Sequence, residues 1–325
     1  MLFLRLVMVF ILFSSLGCTG KDAPVVDGRI NITTPVQPAS QNIYNERAGK
    51  GALLLTRFAS LEEFKKTVSV QYADNISEPS SPSNNHHQVQ LTYRSGGREI
   101  SSILKSGISQ ADFVQARNST IWKKIGVGLK CPYALVHKKK LLAIEHLGRR
   151  RPPLFGKGDA AFYDLAETMV RNIRDEDVLD MSCEELSEKG YLNTFNHITA
   201  QAFMTCIFSE SLADFVADVH ELYNMPQLIT GNFTDAQLAD FVNGPVDNYI
   251  DMINNEWGQE LGKVLKIKYA INQQTYWTAE LLTNVLNEIQ GYHSWAFQIG
   301  FKPFKPEDEM VKQFAWKINT VLASS

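Results

Sequence analysis

The chain has 325 residues, 44% hydrophobic and 21% charged, with a net charge of −3. Such a composition describes a folded globular chain rather than a disordered one. The small charge offers no broad basic field, so nucleic acid is excluded as a partner.

At the start, one positive charge (Arg5) precedes an apolar run from Leu6 to Phe13, followed by S-S-L-G-C. That order is expected of a secretory signal peptide over residues 1–17, and the run is too short for a typical membrane span. The ending resembles a bacterial lipobox, whose cysteine is cleaved and lipid-modified. Ser15 and Leu16 depart from the usual pattern, whereas Gly17-Cys18 keeps its central pair. Lipidation of Cys18 would supply more than one acyl chain, as stable membrane anchoring requires. The expected location is the bacterial cell envelope, at the outer membrane if the host has one, with secretion as the alternative. Cys131, Cys183 and Cys206 are too few and too scattered for a disulfide framework.

Residues 18–48 are rich in Pro, Asn, Thr and Val without a useful period, and read as a tether. A small mixed α/β region is expected over residues 49–148. Within it, A-L-L-L-T-R-F reads as a short strand, and Ser60-Leu-Glu-Glu as a capping box opening a helix. A Ser/Asn/Pro-rich loop carries His86-His87, a solvated pair by its setting. V-Q-L-T-Y (89–93) alternates like a strand closed by S-G-G-R. S-Q-A-D-F-V-Q-A-R suggests a short helix, and the apolar stretches among lysines over 121–145 suggest a hairpin. The basic clusters Lys138–Lys140 and Arg149–Arg151 read as a hairpin tip and a charged linker, with contact to anionic lipid or peptidoglycan as the alternative.

Beyond Arg149-Arg-Arg-Pro-Pro the texture turns helical. Residues 158–325 are expected to form an α-helical domain of about seven helices, so the fold class is α+β overall and mainly helical. The apolar stripe over 162–173 marks the first helix. Ser182-Cys-Glu-Glu opens a short helix that Gly190 ends, and Asn193 to Phe208 is an almost wholly apolar, buried rod. Ser211 is expected to cap the next helix, and Thr234-Asp-Ala-Gln forms a further capping box. Long helices follow from Val246, from about Thr278 to Gln290, and from Glu307 to Ala323.

His220-Glu221 invites a zinc-protease reading, but Asn224 occupies the place of the second histidine. A zincin is therefore excluded. A site assembled from several helices remains. His197 and Gln201 lie one turn apart on an apolar rod and require polar partners. The long helix offers Asp247, Asp251 and Asn254 on one strip, with Asn248 and Asn255 on the next. Its Gly258 and Gly262 would let a neighbouring helix or ligand approach closely. Asp214, Asp218 and Glu221 share a polar face of their helix, and His220 borders its buried side. The candidate catalytic residues are His197, His220, Glu221, Asp251, Asn254 and Asn255. The structural alternative is a hydrogen-bonded network that fixes helix register. Neither a metal nor a cofactor is assigned by sequence.

The order F-N-H (195–197), A-D-F-V-A-D-V-H-E (213–221) and D-M-I-N-N-E-W-G-Q (251–259) resembles an uncharacterised bacterial family. Its pattern is F-R-H-A, then D-A-H-E, then D-L-x-N-N-x-x-G-R, in polymorphic toxin-like and secreted proteins. The resemblance spans about residues 158–270 and puts the six candidates and Gly258 at motif positions. Asn196 and Gln259 stand where the family has arginine, which weakens an anion-binding role. No reaction follows from the resemblance. The expected function is an envelope-anchored lipoprotein of unknown biochemical activity. The alternative is a hydrolase, with or without a metal, acting on an envelope or toxin-target substrate. His220 would then be general base or metal ligand, Glu221 its partner, and the asparagines substrate or oxyanion donors. A non-catalytic binding or scaffold role competes with it.

Overall fold

The computed structural model describes residues 50–75, 86–109, 112, 126 and 130–324. The expected signal peptide, Cys18, the tether and most of the helix expected over 109–117 lie outside these residues.

Ser60 caps the first helix, α1 (Leu61–Thr67), by accepting a hydrogen bond from the Glu63 amide at 3.2 Å, and the Glu63 carboxylate accepts from Ala59. An antiparallel sheet follows in the order β1 (Val68–Asn75), β2 (His86–Ser95) and β3 (Arg98–Lys105). Val89, Leu91 and Tyr93 of β2 are buried, as are Ile100, Ser102 and Leu104 of β3, so one face of the sheet packs inward. Two expectations are corrected here. A-L-L-L-T-R-F is no strand: Leu55–Arg57 form a 3₁₀ turn. His86 and His87 open β2, opposite Asn75 and Asp74, rather than sitting in a loop. The expected S-G-G-R turn closes β2, and the chain returns as β3, a strand not expected from the sequence.

The hairpin expected over 121–145 is replaced, among the described residues, by α2 (Pro132–Val136) and α3 (Lys138–Gly148). Pro132 at the first helical position favours a helix start. Leu141, Ile144 and Leu147 then recur at helical spacing on the buried side of α3. The lysines 138–140 thus form the first turn of a helix.

The remaining helices are α4 (Pro152–Phe155), α5 (Phe162–Arg171), α6 (Asp175–Val178), α7 (Tyr191–Ile207), α8 (Glu210–Asn224), α9 (Asp235–Ala239), α10 (Pro245–Lys268), α11 (Ala279–Phe297) and α12 (Glu309–Ala323). Beyond Phe162 there are eight α-helices among the described residues instead of about seven, two of them a single turn. Ser182 and Glu185 do exchange capping-box hydrogen bonds at 2.9 and 3.1 Å, but they close turns and not a helix. Gly190 begins α7, and Ser209, rather than Ser211, caps α8.

The core is one cluster running from Ala52 to Val321, with α7 near its centre. Helices α7 and α10 lie side by side and run in the same direction. Three polar pairs between them, Asn193–Asp251, His197–Asn255 and Gln201–Gln259, all share a sequence separation of 58. Beside these pairs, glycines permit close approach. A Cβ at Gly258 would stand 2.7 Å from the Ile198 carbonyl oxygen, and one at Gly262 would stand 2.6 Å from that of Ala202.

Two further contacts organise the ends of the domain. Residues 50–53 are clasped from several directions. The Lys50 amide donates to Ala296 at 2.7 Å, Gly51 accepts from the Tyr292 hydroxyl, and the Gly51 amide donates to Ser95 at 3.1 Å. Asn254 then brackets Leu53, accepting from its amide at 2.9 Å and donating to its carbonyl at 3.0 Å. At the other end, Lys317 of α12 is fully buried and lies 2.7 Å from Asp159. It also donates to the carbonyls of Arg149 and Ala160, at 2.9 and 2.5 Å, and sits 4.9 Å from the Phe155 ring centre.

Candidate functional site

The polar flank between α7 and α10 supplies the site. Asn193, His197 and Gln201 recur every four residues on α7, while Asp247, Asp251, Asn255 and Gln259 do so on α10. Residues four apart share a helix face, so two polar rows meet across the parallel contact. Asn193 donates to Asp251 at 2.9 Å and reaches Asp247 at 3.4 Å. His197 meets Asn255 Oδ1 through Nδ1 at 2.9 Å and Asp251 Oδ2 through Nε2 at 3.3 Å. A carbonyl oxygen only accepts, so Nδ1 carries the hydrogen and the Nε2 lone pair of neutral His197 faces Asp251.

Helix α8 closes the third side. Glu221 is 1% exposed, and its Oε1 accepts a long hydrogen bond of 3.4 Å from the Asn255 amide. This corrects its expected position on a polar face with Asp214 and Asp218. Those two are half-buried, and the same strip becomes interior one turn later, where α10 covers it. Oε2 of Glu221 is buried without a hydrogen-bond partner. His220 points elsewhere: it is exposed, its Nε2 lies 3.1 Å from the Asn224 amide nitrogen, and its ring centre lies 6.2 Å from that of His197.

Burial shapes the protonation of the whole group. It raises the Asp251 carboxyl well above the usual range, against the bond from Asn193. Burial first, then the charges of Asp251 and Asp247, raises Glu221 likewise. Asp247 is pushed up to about 9 by burial and by Asp251. Burial lowers His197, opposed by its bond to Asn255. Crowding around the His220 ring, with His197 and Arg149 nearby, lowers it too, although solvent at its exposed face weakens that push. Burial thus favours the uncharged form of each of these groups over the charged one.

A cavity of about 260 Å³, open to solvent on one side, borders this group. His197, His220, Asn255, Asn196 and Gln201 line it, together with Glu145 and Arg149, and Phe162, Met204 and Val216 add apolar wall. Glu221 and Asp251 stand behind the lining. Of the sequence candidates, the fold brings His197, Glu221, Asp251 and Asn255 together and sets His220 on the rim of the same cavity. Asn254 faces away, engaged with Leu53. Asn193 escaped the candidate set, although its position four residues before His197 was a signal. Glu145 and Arg149 were outside the candidate set, because one ends a stretch that reads as a hairpin and the other opens one that reads as a charged linker.

Neither the family models, the curated proteins nor the solved structures compared with this chain contain a match to it.

Proposed function

We propose that this chain is an envelope lipoprotein, anchored through an acylated Cys18, whose helical domain carries a ligand-binding centre around His197. The observation that carries the reading is convergence. Side chains from α7, α8 and α10, far apart in sequence, meet at one open cavity and leave a buried carboxylate oxygen unpartnered. A register-fixing network alone would be expected to satisfy its own buried groups.

A hydrolase acting on an envelope or toxin-target substrate is the second reading. It is favoured by His220, a neutral imidazole on the cavity rim whose Nε2 is held only by a side-chain amide. Exchanging that amide for a water or substrate hydroxyl would make it a general base.

For the anchor, Cys18→Ala should move the protein from the membrane fraction to the soluble one; unchanged fractionation sinks that half of the proposal. For the centre, the protein is mixed with a muropeptide digest or with phospholipid micelles, and thermal stabilisation and product release are followed. Stabilisation should disappear in Ala200→Trp, which fills the cavity without removing a polar group. Product release lost in His220→Ala supports the hydrolase. No stabilisation and no products from either material would reduce the centre to a structural network.

A further inference from the structure

We infer that His197, Asp251 and Glu221 together hold a divalent transition-metal cation behind the cavity wall. One ligand atom from each residue lies within 4.8 Å of the other two. Atoms bound to one tetrahedral ion at zinc-like distances stand about 3.4 Å apart, so side-chain rotations that draw the set in by about 1 Å close it. One imidazole nitrogen with two carboxylates and no sulfur suits zinc, manganese or iron(II) better than calcium or copper(I).

Two further observations point the same way. Glu221 Oε2 is buried and unpartnered, and an interior carboxylate oxygen without a donor is costly unless something supplies positive charge. Among the described residues, no lysine or arginine forms an ion pair with Glu221, Asp247 or Asp251. Each ligand is also held from behind. Asn255 fixes the His197 tautomer through Oδ1, which leaves Nε2 as a lone pair, and reaches Glu221 through its amide. Asn193 holds the oxygen of Asp251 that does not face His197. Such orienting partners are what metal-binding imidazoles and carboxylates require. Three protein ligands leave a tetrahedral ion at least one position for water or a ligand.

The inference rests on reading the cavity as a binding centre and names what its wall holds. The full-length chain in detergent is stripped with EDTA, desalted, and titrated calorimetrically with Zn²⁺ and with Mn²⁺. One ion per chain is expected, bound at least tenfold more weakly by Glu221→Gln and His197→Gln, with Cys183→Ser unchanged. Co²⁺ should give visible ligand-field absorption, displaced by Zn²⁺, without a thiolate charge-transfer band. If either variant loses its helical circular dichroism, the wild-type Co²⁺ spectrum decides. Substoichiometric metal, equal affinity in folded variants, a thiolate band or dependence on Cys183 overturns the site. If metal fails while muropeptide or micelle stabilisation persists, the cavity reading stands without the ion; if both fail, both fall.

Discussion

Asp159 and Glu221 are both carboxylates sealed in the interior, and they meet different company. Asp159 faces the Lys317 ammonium, which two carbonyls and the Phe155 ring also engage. Glu221 and its neighbour Asp251 meet only amides and a neutral imidazole. The first pair contains its own counter-charge. The second group is complete only with protons or an external cation. Buried charge of the first kind holds a helix in place, whereas the second kind is expected where something else must bind.

Several substitutions would break or sharpen this contrast. Lys317→Met strands Asp159, and removing one partner of a buried pair costs about 3–5 kcal/mol. Chemical denaturation should read that loss, and adding Asp159→Asn should recover part of it. A loss under about 1 kcal/mol would mean that Lys317 is not a structural counter-charge.

Asn254→Ala removes the bracket around Leu53 and leaves buried backbone groups unpaired, for a loss of about 1–3 kcal/mol. It should not alter ligand or metal binding, because Asn254 faces away from the cavity. A variant as stable as wild type would contradict the bracket.

Glu221→Gln should go the other way. Glu221 is raised in the folded state, so above the unfolded value the folded chain holds more protons than the unfolded one. Its stability contribution is present at low pH and lost as pH rises through the folded value. The Tm of EDTA-treated wild type should therefore fall between pH 5 and pH 8. Glu221→Gln should flatten that fall and gain about 1 kcal/mol at pH 8, or roughly 2–4 °C. A profile that rises over the same range would overturn the assignment.

His220→Ala, on the exposed rim, should change stability by less than about 0.5 kcal/mol. A larger loss by thermal denaturation would make His220 a packing residue.

The helical periods of α7, α8 and α10 were legible in the sequence, as were the Ser60 cap and the capping box at Thr234. The strand β1 was hidden because V-S-V-Q-Y follows directly on a capped helix, with no turn residue between them. Helices α2 and α3 were hidden because β-branched and apolar residues among lysines satisfy a strand pattern as well as a helical one. At the site, the polar rows on α7 and α10 were visible, and so was the need for partners at His197. The burial of Glu221 was not, since it depends on where α10 crosses the last turns of α8. Nor could adjacent Asn254 and Asn255 be separated: one binds a backbone 201 positions earlier and the other a side chain 58 positions earlier.

The clasp on residues 50–53 has a mechanical side. On the proposed reading, in which the chain hangs from a lipidated Cys18, a pull from the membrane side reaches the described residues at Lys50. The force would meet hydrogen bonds to Ala296, Tyr292, Ser95 and Asn254 within four residues, spread over α11, β2 and α10. Load shared among separate elements resists peeling better than load on a single strand end. A pull from the N-terminal side would thus free residues 50–53 only by breaking contacts with several elements at once.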